Sequence, residues 1–319
     1  MLAGSVPRRI ASPSIQPLTG GHKKEEAIMP RVLITGSNSG IGRATAVHLG
    51  AHGYEVFAGM RSLDKAERLL DMAATEKATV HPVELDVNSD ASVTQAVGEI
   101  ISEAGPLDVM INNAGIGMNA TVEDVDIEEA KQVFDTNFWD IIRCTQAVLP
   151  AMREQGSGHI VNISSIAGRI AALAQVIYSS SKWAVECLSE SLAQEVAPFG
   201  IRVSLIEPGV TRTAILPKNV GHPTPTEYEA AYRRMLQFYA AGIAANVSAE
   251  EVARVIHEAL ENPSDELRHP CAWGGNELCE GRTRMSDAEW VDLARHEQDA
   301  DYYTAFEKAF NLPIGPTSE

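Results

Sequence analysis

No apolar run in this 319-residue sequence approaches the roughly eighteen residues that a helix needs to cross a bilayer, so no membrane span is expected. Positive charge is also scarce. Against 43 Asp and Glu stand 26 Lys and Arg, and the formal charge of −17 argues against a nucleic-acid or anionic-membrane surface. Cysteine is sparse as well. Cys144, Cys187, Cys271 and Cys279 form no C-x-x-C pair and no metal-ligand spacing. No metal is therefore expected, and the four read as reduced thiols of a cytoplasmic protein. There is no internal repeat and no second glycine-rich motif. Hydrophobic content is ordinary, which marks a globular chain long enough for a sizeable core.

Residues 1–28 are rich in Pro, Ser and Gly, show no hydrophobic periodicity, and lack the apolar stretch of a secretory signal. They are expected to be a disordered tail, or to precede a true start at Met29. Arg8 and Arg9, with no acid before Glu25, keep a transit peptide open as the alternative. Residues 29–275 are expected to form one domain with a lid at about 214–247, and residues 276–319 a C-terminal helical extension.

The texture changes at Arg31. Val32-Leu33-Ile34 is a short apolar run that ends in Thr35-Gly36-Ser37-Asn38-Ser39-Gly40-Ile41-Gly42, and a helical pattern follows to about His52. Strand, glycine turn and helix N-terminus together make a phosphate site, because free backbone N–H groups and the helix dipole point at the anion. The spacing G-x-x-x-G-x-G meets the dinucleotide fingerprint only in part, and a generic glycine turn is the plainer alternative.

A second strand at 54–59 leads to Met60 and Arg61. An acid near this point would hold an adenosine 2′-hydroxyl, whereas a guanidinium suits a 2′-phosphate. Arg61 therefore favours NADP(H), with a solvated Arg61 beside NAD(H) as the other reading. Ser62 is expected to cap the next helix. Strands at 79–85, ending at Asp86-Val87, and 107–111, ending in Asn112-Asn113-Ala114-Gly115, alternate with helical stretches. That alternation predicts βαβ units, a parallel sheet and ligands at the C-terminal strand ends. A long helix is expected over 127–154. A fifth strand delivers Ser164 and Ser165, and a sixth at 201–206 runs into Pro208-Gly209-Val210-Thr211-Arg212-Thr213. Ser248 should cap a helix to about Glu261 with Glu251 completing a capping box, a last strand could lie at 267–273, and one or two helices close the chain over 286–310.

Tyr178 and Lys182 share one face of a helix expected over 178–198, since an i, i+4 pair is adjacent on a helix surface. A phenol has a pKa of about 10. A nearby ammonium lowers it toward the range where acid–base catalysis is efficient. An isolated Tyr-x-x-x-Lys is also what a surface lysine beside a half-buried tyrosine looks like, so the case rests on its surroundings.

Those surroundings resemble the short-chain dehydrogenase/reductases. Thr35-Gly-Ser-Asn-Ser-Gly-Ile-Gly42, Asn112-Asn-Ala-Gly115, Asn137, Ser165, Tyr178-x-x-x-Lys182 and Pro208-Gly209 stand in that family's order and spacing. The wording around Phe134-Asp-Thr-Asn-Phe-Trp139 is most similar to the hydroxysteroid- and retinol-dehydrogenase-like branch. The resemblance implies an α/β doubly wound (Rossmann) parallel sheet of about seven strands flanked by helices, with a helical substrate lid.

It also implies roles. Tyr178 would be the acid/base and Lys182 would lower its pKa and bond the nicotinamide ribose. Ser165, thirteen residues before Tyr178, would orient the substrate oxygen. Asn137 would hold a water linking Lys182 to solvent; a helix asparagine bonding its own backbone is the simpler alternative. Gly36, Gly40, Ile41 and Gly42 would line the pyrophosphate and Ser37 the adenosine side. Asp86 and Val87 would meet the adenine, and Asn113, Ala114 and Gly115 would pack under its ribose. Pro208, Gly209, Val210, Thr211 and Thr213 would lie at the nicotinamide. Ser39 stands where NADP-preferring members often carry a basic residue, so the NADP(H) preference rests on Arg61.

The implied activity is interconversion of a hydrophobic secondary alcohol and its ketone or aldehyde. An apolar pocket is expected from 116–118, from 168–173 and from Ile215 and Leu216. A 3-oxoacyl thioester reductase is the alternative, less suited to the acidic C-terminal half, and a non-catalytic dinucleotide sensor is the other. A homodimer or homotetramer through the 127–154 and 178–198 helices is implied by the resemblance.

Overall fold

A computed structural model describes residues 29–213, 226–262, 264 and 266–316. The expected 1–28 tail lies outside the described residues. So does the 214–225 part of the expected lid, with Ile215, Leu216 and all three of its prolines.

Seven parallel strands form one sheet in the order β3-β2-β1-β4-β5-β6-β7. They are β1 (Arg31–Ile34), β2 (Glu55–Met60), β3 (Val80–Glu84), β4 (Val109–Asn112), β5 (Gly158–Ile163), β6 (Ile201–Pro208) and β7 (Arg268–Cys271). Alternate side chains of a strand point to opposite faces. Val32, Ile34, Val56, Ala58, Val109 and Ile111 therefore share one buried cluster, beneath α1 (Gly40–Ala51), α2 (Glu67–Glu76) and α8 (Ala249–Glu261). Leu33, Phe57, Met110 and Ile160 face the other way, beneath α3 (Asp90–Ala104), α5 (Asp140–Gln155) and α6 (Val176–Val196). Both faces are covered, as a parallel sheet requires.

The strand order reverses between β1 and β4, so a crevice opens there at the C-terminal strand ends. Thr35 stitches the two strands together. Its N–H donates to the Ile111 carbonyl at 3.0 Å. Its hydroxyl oxygen accepts the N–H groups of Asn113 and Ala114, both at 2.9 Å. Asn113 Nδ2 returns a bond to the Thr35 carbonyl at 2.8 Å.

The expected long helix is divided. α4 (Ile127–Phe134) passes into a π-helical turn, Asp135–Trp139, before α5 begins. Such a turn widens the helix and is common at functional sites; Asn137 sits in it. The expected cap at Ser62 is not made. A 3-10 turn, Leu63–Lys65, intervenes without a side-chain cap bond, and α2 starts at Glu67. The Ser248–Glu251 capping box does form at α8.

Two helices close the chain over 286–310 as expected, α10 (Asp287–Leu293) and α11 (Asp299–Phe310), and a further one, α9 (Gly275–Arg284), precedes them. The polar α9 sequence carries no apolar stripe to announce it. Leu278, Phe306, Phe310, Leu312 and Ile314 from this region share a buried cluster with Ile166 and Ile170, which follow β5. α7 (Glu229–Ala244) is fastened to the same region by Arg234, 3% exposed, which donates to Asp299 Oδ1 at 2.9 Å and stacks over Tyr302 at 4.6 Å. No described helix is long and apolar enough to cross a membrane.

Candidate active site

A cleft of about 640 Å³ follows the C-terminal strand ends from the β1–α1 turn to α6. Of the residues singled out in the sequence, Gly36, Gly40, Ile41, Arg61, Val87, Asn113, Ala114, Gly115, Ser165, Tyr178, Lys182, Pro208, Gly209, Val210, Thr211 and Thr213 line it. Four do not. Ser37 is fully buried and its hydroxyl donates to the Ile34 carbonyl at 2.8 Å, so it braces the turn instead of facing a ligand. Gly42 is a packing glycine, because a Cβ there would stand 2.4 Å from Asn113 Nδ2. Asp86 Oδ1 accepts the Asn88 N–H at 3.1 Å and shapes the turn that presents Val87 and Asn88. Asn137 lies behind the wall.

The cleft fits a nicotinamide dinucleotide. Gly36 has φ +67°, and a Cβ there would approach Ala114 Cα to 3.0 Å. Only bare backbone is tolerated at that point, beside the N-terminus of α1. The first turn of α1 carries no acid, leaving its N–H groups and dipole available to a pyrophosphate. At the far end of the same cleft, two exposed cations face it together, Arg61 after β2 and Lys65 on the 3-10 turn. Lys65 was missed in the sequence because the expected helix placed it away from the strand end; the 3-10 turn brings it back.

The reacting groups converge from two elements. The start of α6 presents Tyr178 and Lys182 one turn apart. Ser165, at the end of β5, caps the short 3-10 turn Ile166–Gly168 by accepting the Ala167 N–H at 3.1 Å, and it hydrogen-bonds Tyr178. Burial pushes the Tyr178 phenol above its ordinary value, and the Ser165 bond pulls it back. The expected lowering by Lys182 is not what this arrangement gives. Lys182 Nζ donates to the Ile163 carbonyl at 2.8 Å and lies 6.0 Å from the Tyr178 ring centre, so burial decides the phenol's direction.

Behind Lys182 stands a buried polar chain. Asn137 Oδ1 accepts the Ile116 N–H at 2.8 Å, while its Nδ2 donates to the Ile116 carbonyl at 2.9 Å and to Ser181 Oγ at 3.1 Å. The alternative of an asparagine bonding its own helix backbone is thereby excluded. One turn of backbone later, Asp140 is fully buried; Oδ1 accepts the Ile141 N–H at 2.6 Å and Oδ2 has no hydrogen-bond partner among the described residues. Burial pushes the Asp140 carboxyl well up and the Lys182 ammonium down to about 8, and the mutual attraction of the pair opposes both movements. Nothing in the linear sequence marks Asp140, since its importance is a matter of which face of the π turn points inward.

Beyond Tyr178 the cleft widens into a chamber with apolar and aromatic walls. Ile116, Ile170, Ala172 and Leu173 line it as expected. Met235, Phe238 and Tyr239 of α7, with Trp290, Tyr302 and Phe306 from the closing helices, complete it. Those closing-helix aromatics were legible only as a helical core.

Comparisons agree with this geometry. The family model for short chain dehydrogenase matches residues 30–222. Human "Retinol dehydrogenase 8" is 40% identical over 220 residues, covering 67% of this chain and 69% of that protein. A solved short-chain dehydrogenase from Streptomyces avermitilis superposes with a TM-score of 0.73 at 29% identity, over 86% of this chain and all of that one. A structure of ElxO with NADP bound superposes with a TM-score of 0.63 at 26% identity, over 75% of this chain and 93% of that one.

Asp140 carries a direct expectation. Asn in its place keeps an acceptor for the Ile141 N–H but removes the charge that opposes the downward shift of Lys182. The folded-state pKa of Lys182, about 8, lies below its ordinary value. The unfolded chain therefore binds the extra proton between about pH 8 and 10.5, and stability gains as pH rises through that window. Asp140→Asn should extend the window downward. A carbon-13 titration of the Lys182 ε-carbon reads this as a midpoint below that of the wild type; an unmoved midpoint would show that the carboxyl carries no charge opposite Lys182.

Proposed function

The chain belongs to the short-chain dehydrogenase/reductase family and is an oxidoreductase of CH–OH groups that uses a nicotinamide dinucleotide; from that premise we propose that it interconverts a hydrophobic alcohol and its ketone or aldehyde, with NADP(H) preferred. The observation that carries this reading is the juxtaposition in one cleft of Tyr178, Ser165 and Lys182 with an aromatic chamber. Human "Retinol dehydrogenase 8", a relative whose name gives an apolar alcohol as substrate, supports the substrate class.

The bound dinucleotide supplies or accepts the hydride. The chain's own residues manage the oxygen and its proton. In reduction, Tyr178 Oη donates its proton to the carbonyl oxygen as negative charge develops there, and Ser165 Oγ holds that oxygen in line. In oxidation the same phenol takes the hydroxyl proton. The raised pKa of Tyr178 keeps it a proton donor in the absence of ligands, and a Lys182 ammonium turned toward the cleft would stabilise the phenolate left after transfer. Asn137, held by Ile116 and Ser181, keeps a polar route open beside Lys182 for the return of the proton. Met235, Phe238 and Tyr239 line the chamber, so α7 serves as the described part of the lid; apolar and aromatic walls favour a ligand with little polarity beyond its reacting oxygen.

Arg61 and Lys65 support the cofactor preference. A 2′-phosphate can take charge-assisted bonds from both, whereas an unphosphorylated ribose offers neither cation an anionic partner.

Two outcomes are expected. Tyr178→Phe should lower kcat by at least about a hundred-fold while NADPH affinity, read by fluorescence titration, stays nearly unchanged; substantial residual turnover would refute the assigned acid. Reversing both cations, Arg61→Asp with Lys65→Asp, should lower the NADPH/NADH ratio of kcat/KM by roughly ten-fold or more per charge. An unchanged ratio would reduce both residues to surface charges.

A further inference from the structure

On the covered face of the sheet remote from the cleft, α1 and α8 bring three histidines together. His48 lies in the last turn of α1, His52 caps its end, and His257 lies on α8. Their ligand-capable atoms all stand within 4.8 Å of one another. His48 Nε2 is 3.0 Å from His257 Nδ1. A tetrahedral zinc with bonds of about 2.0–2.1 Å would place two such nitrogens roughly 3.3 Å apart, so these rings need to open by only a few tenths of an ångström.

The hydrogen bonds outside the cluster favour the right nitrogens on His52 and His257, while the proton between His48 Nε2 and His257 Nδ1 must leave that position when a metal binds. His52 Nδ1 meets the His48 carbonyl oxygen at 2.7 Å, so it carries the proton there and leaves Nε2 with the free lone pair. On His257, Nε2 faces Glu261 Oε1 at 3.8 Å, the arrangement in which a carboxylate orients a ligating imidazole whose Nδ1 binds the metal. Tyr54 in turn donates its hydroxyl to the same Glu261 oxygen at 2.5 Å and holds it in place. Glu258 and Glu261 oppose the single guanidinium, Arg254, among the charges acting on these rings.

We infer that His48, His52 and His257 form a site for one divalent transition ion of the zinc class, with Glu261 as the carboxylate behind His257 and the fourth position left to water. The ion would bridge the C-terminal ends of α1 and α8, and α1 is the helix whose other end faces the pyrophosphate part of the cleft. The role is structural. Sequence inspection passed over the site because it tested cysteine spacing, whereas His48-x-x-x-His52 gains meaning only when α8 supplies the third ring.

The test uses full-length protein carrying no affinity histidines, stripped with chelator and titrated with Zn²⁺ by calorimetry and with Co²⁺ by visible absorption. Expected are one Zn²⁺ per chain, a raised Tm on loading, and the visible d–d bands of tetrahedral cobalt. His257→Gln and the more exposed His52→Gln should each abolish stoichiometric binding and the cobalt bands. Glu261→Gln should weaken binding by roughly ten- to a hundred-fold. Circular dichroism and retained turnover would show that these variants still fold. The inference is overturned if the wild type binds no stoichiometric Zn²⁺, or if binding persists unchanged in both histidine variants.

Discussion

The bonds between Thr35 and Asn113 are the constraint on which the site depends. A parallel sheet that reverses its strand order leaves two diverging strand ends, and each carries backbone N–H groups with no neighbour to accept them. The Thr35 hydroxyl oxygen accepts two of those N–H groups, and Asn113 Nδ2 closes the loop on the Thr35 carbonyl. The close approach leaves no room at Gly36 or Gly42 for a side chain. Bare backbone at the helix N-terminus is what an anionic cofactor needs. A packing requirement and a binding requirement are thus met by the same few atoms.

A second constraint is electrostatic. Lys182, Asp140 and Asn137 are all buried, where an unpaired charge is costly and a charge pair strong. The π turn between α4 and α5 aims Asn137 at the Ile116 backbone and Ser181, and it sets Asp140 inside rather than on the surface. Lys182 is held between Ile163 and this acidic interior, so its ammonium is retained near neutral pH despite burial. The charge state of Lys182 is therefore tuned in part by Asp140, a group that does not line the cleft.

Much of this was readable from residue order. The short apolar runs of β1, β2, β4 and β5, the glycine turn and the Tyr178–Lys182 spacing all encode their structure locally, and the strands fell where they were expected within a few residues. Ser165, Tyr178, Lys182 and most of the cleft wall followed from the same local signals. What was hidden depends on tertiary contacts. The π turn has no propensity signature. Ser37 and Asp86 carry groups that suit a ligand, yet each finds a closer backbone partner. Lys65 reaches the cleft because a 3-10 turn replaces a capped helix. Trp290, Tyr302 and Phe306 look like core residues in sequence, and they are core on one side and chamber wall on the other.

The most direct test of the central claim follows the hydride. NADPH deuterated at the transferable position of the nicotinamide would be turned over with a graded set of apolar ketones and aldehydes, and the products examined by mass spectrometry and NMR. The account predicts one deuterium on the carbinol carbon of each reduced product and a hydroxyl proton drawn from solvent. Reduction without transfer of the label, or tight NADPH binding with no reduction of any member of the set, would contradict it.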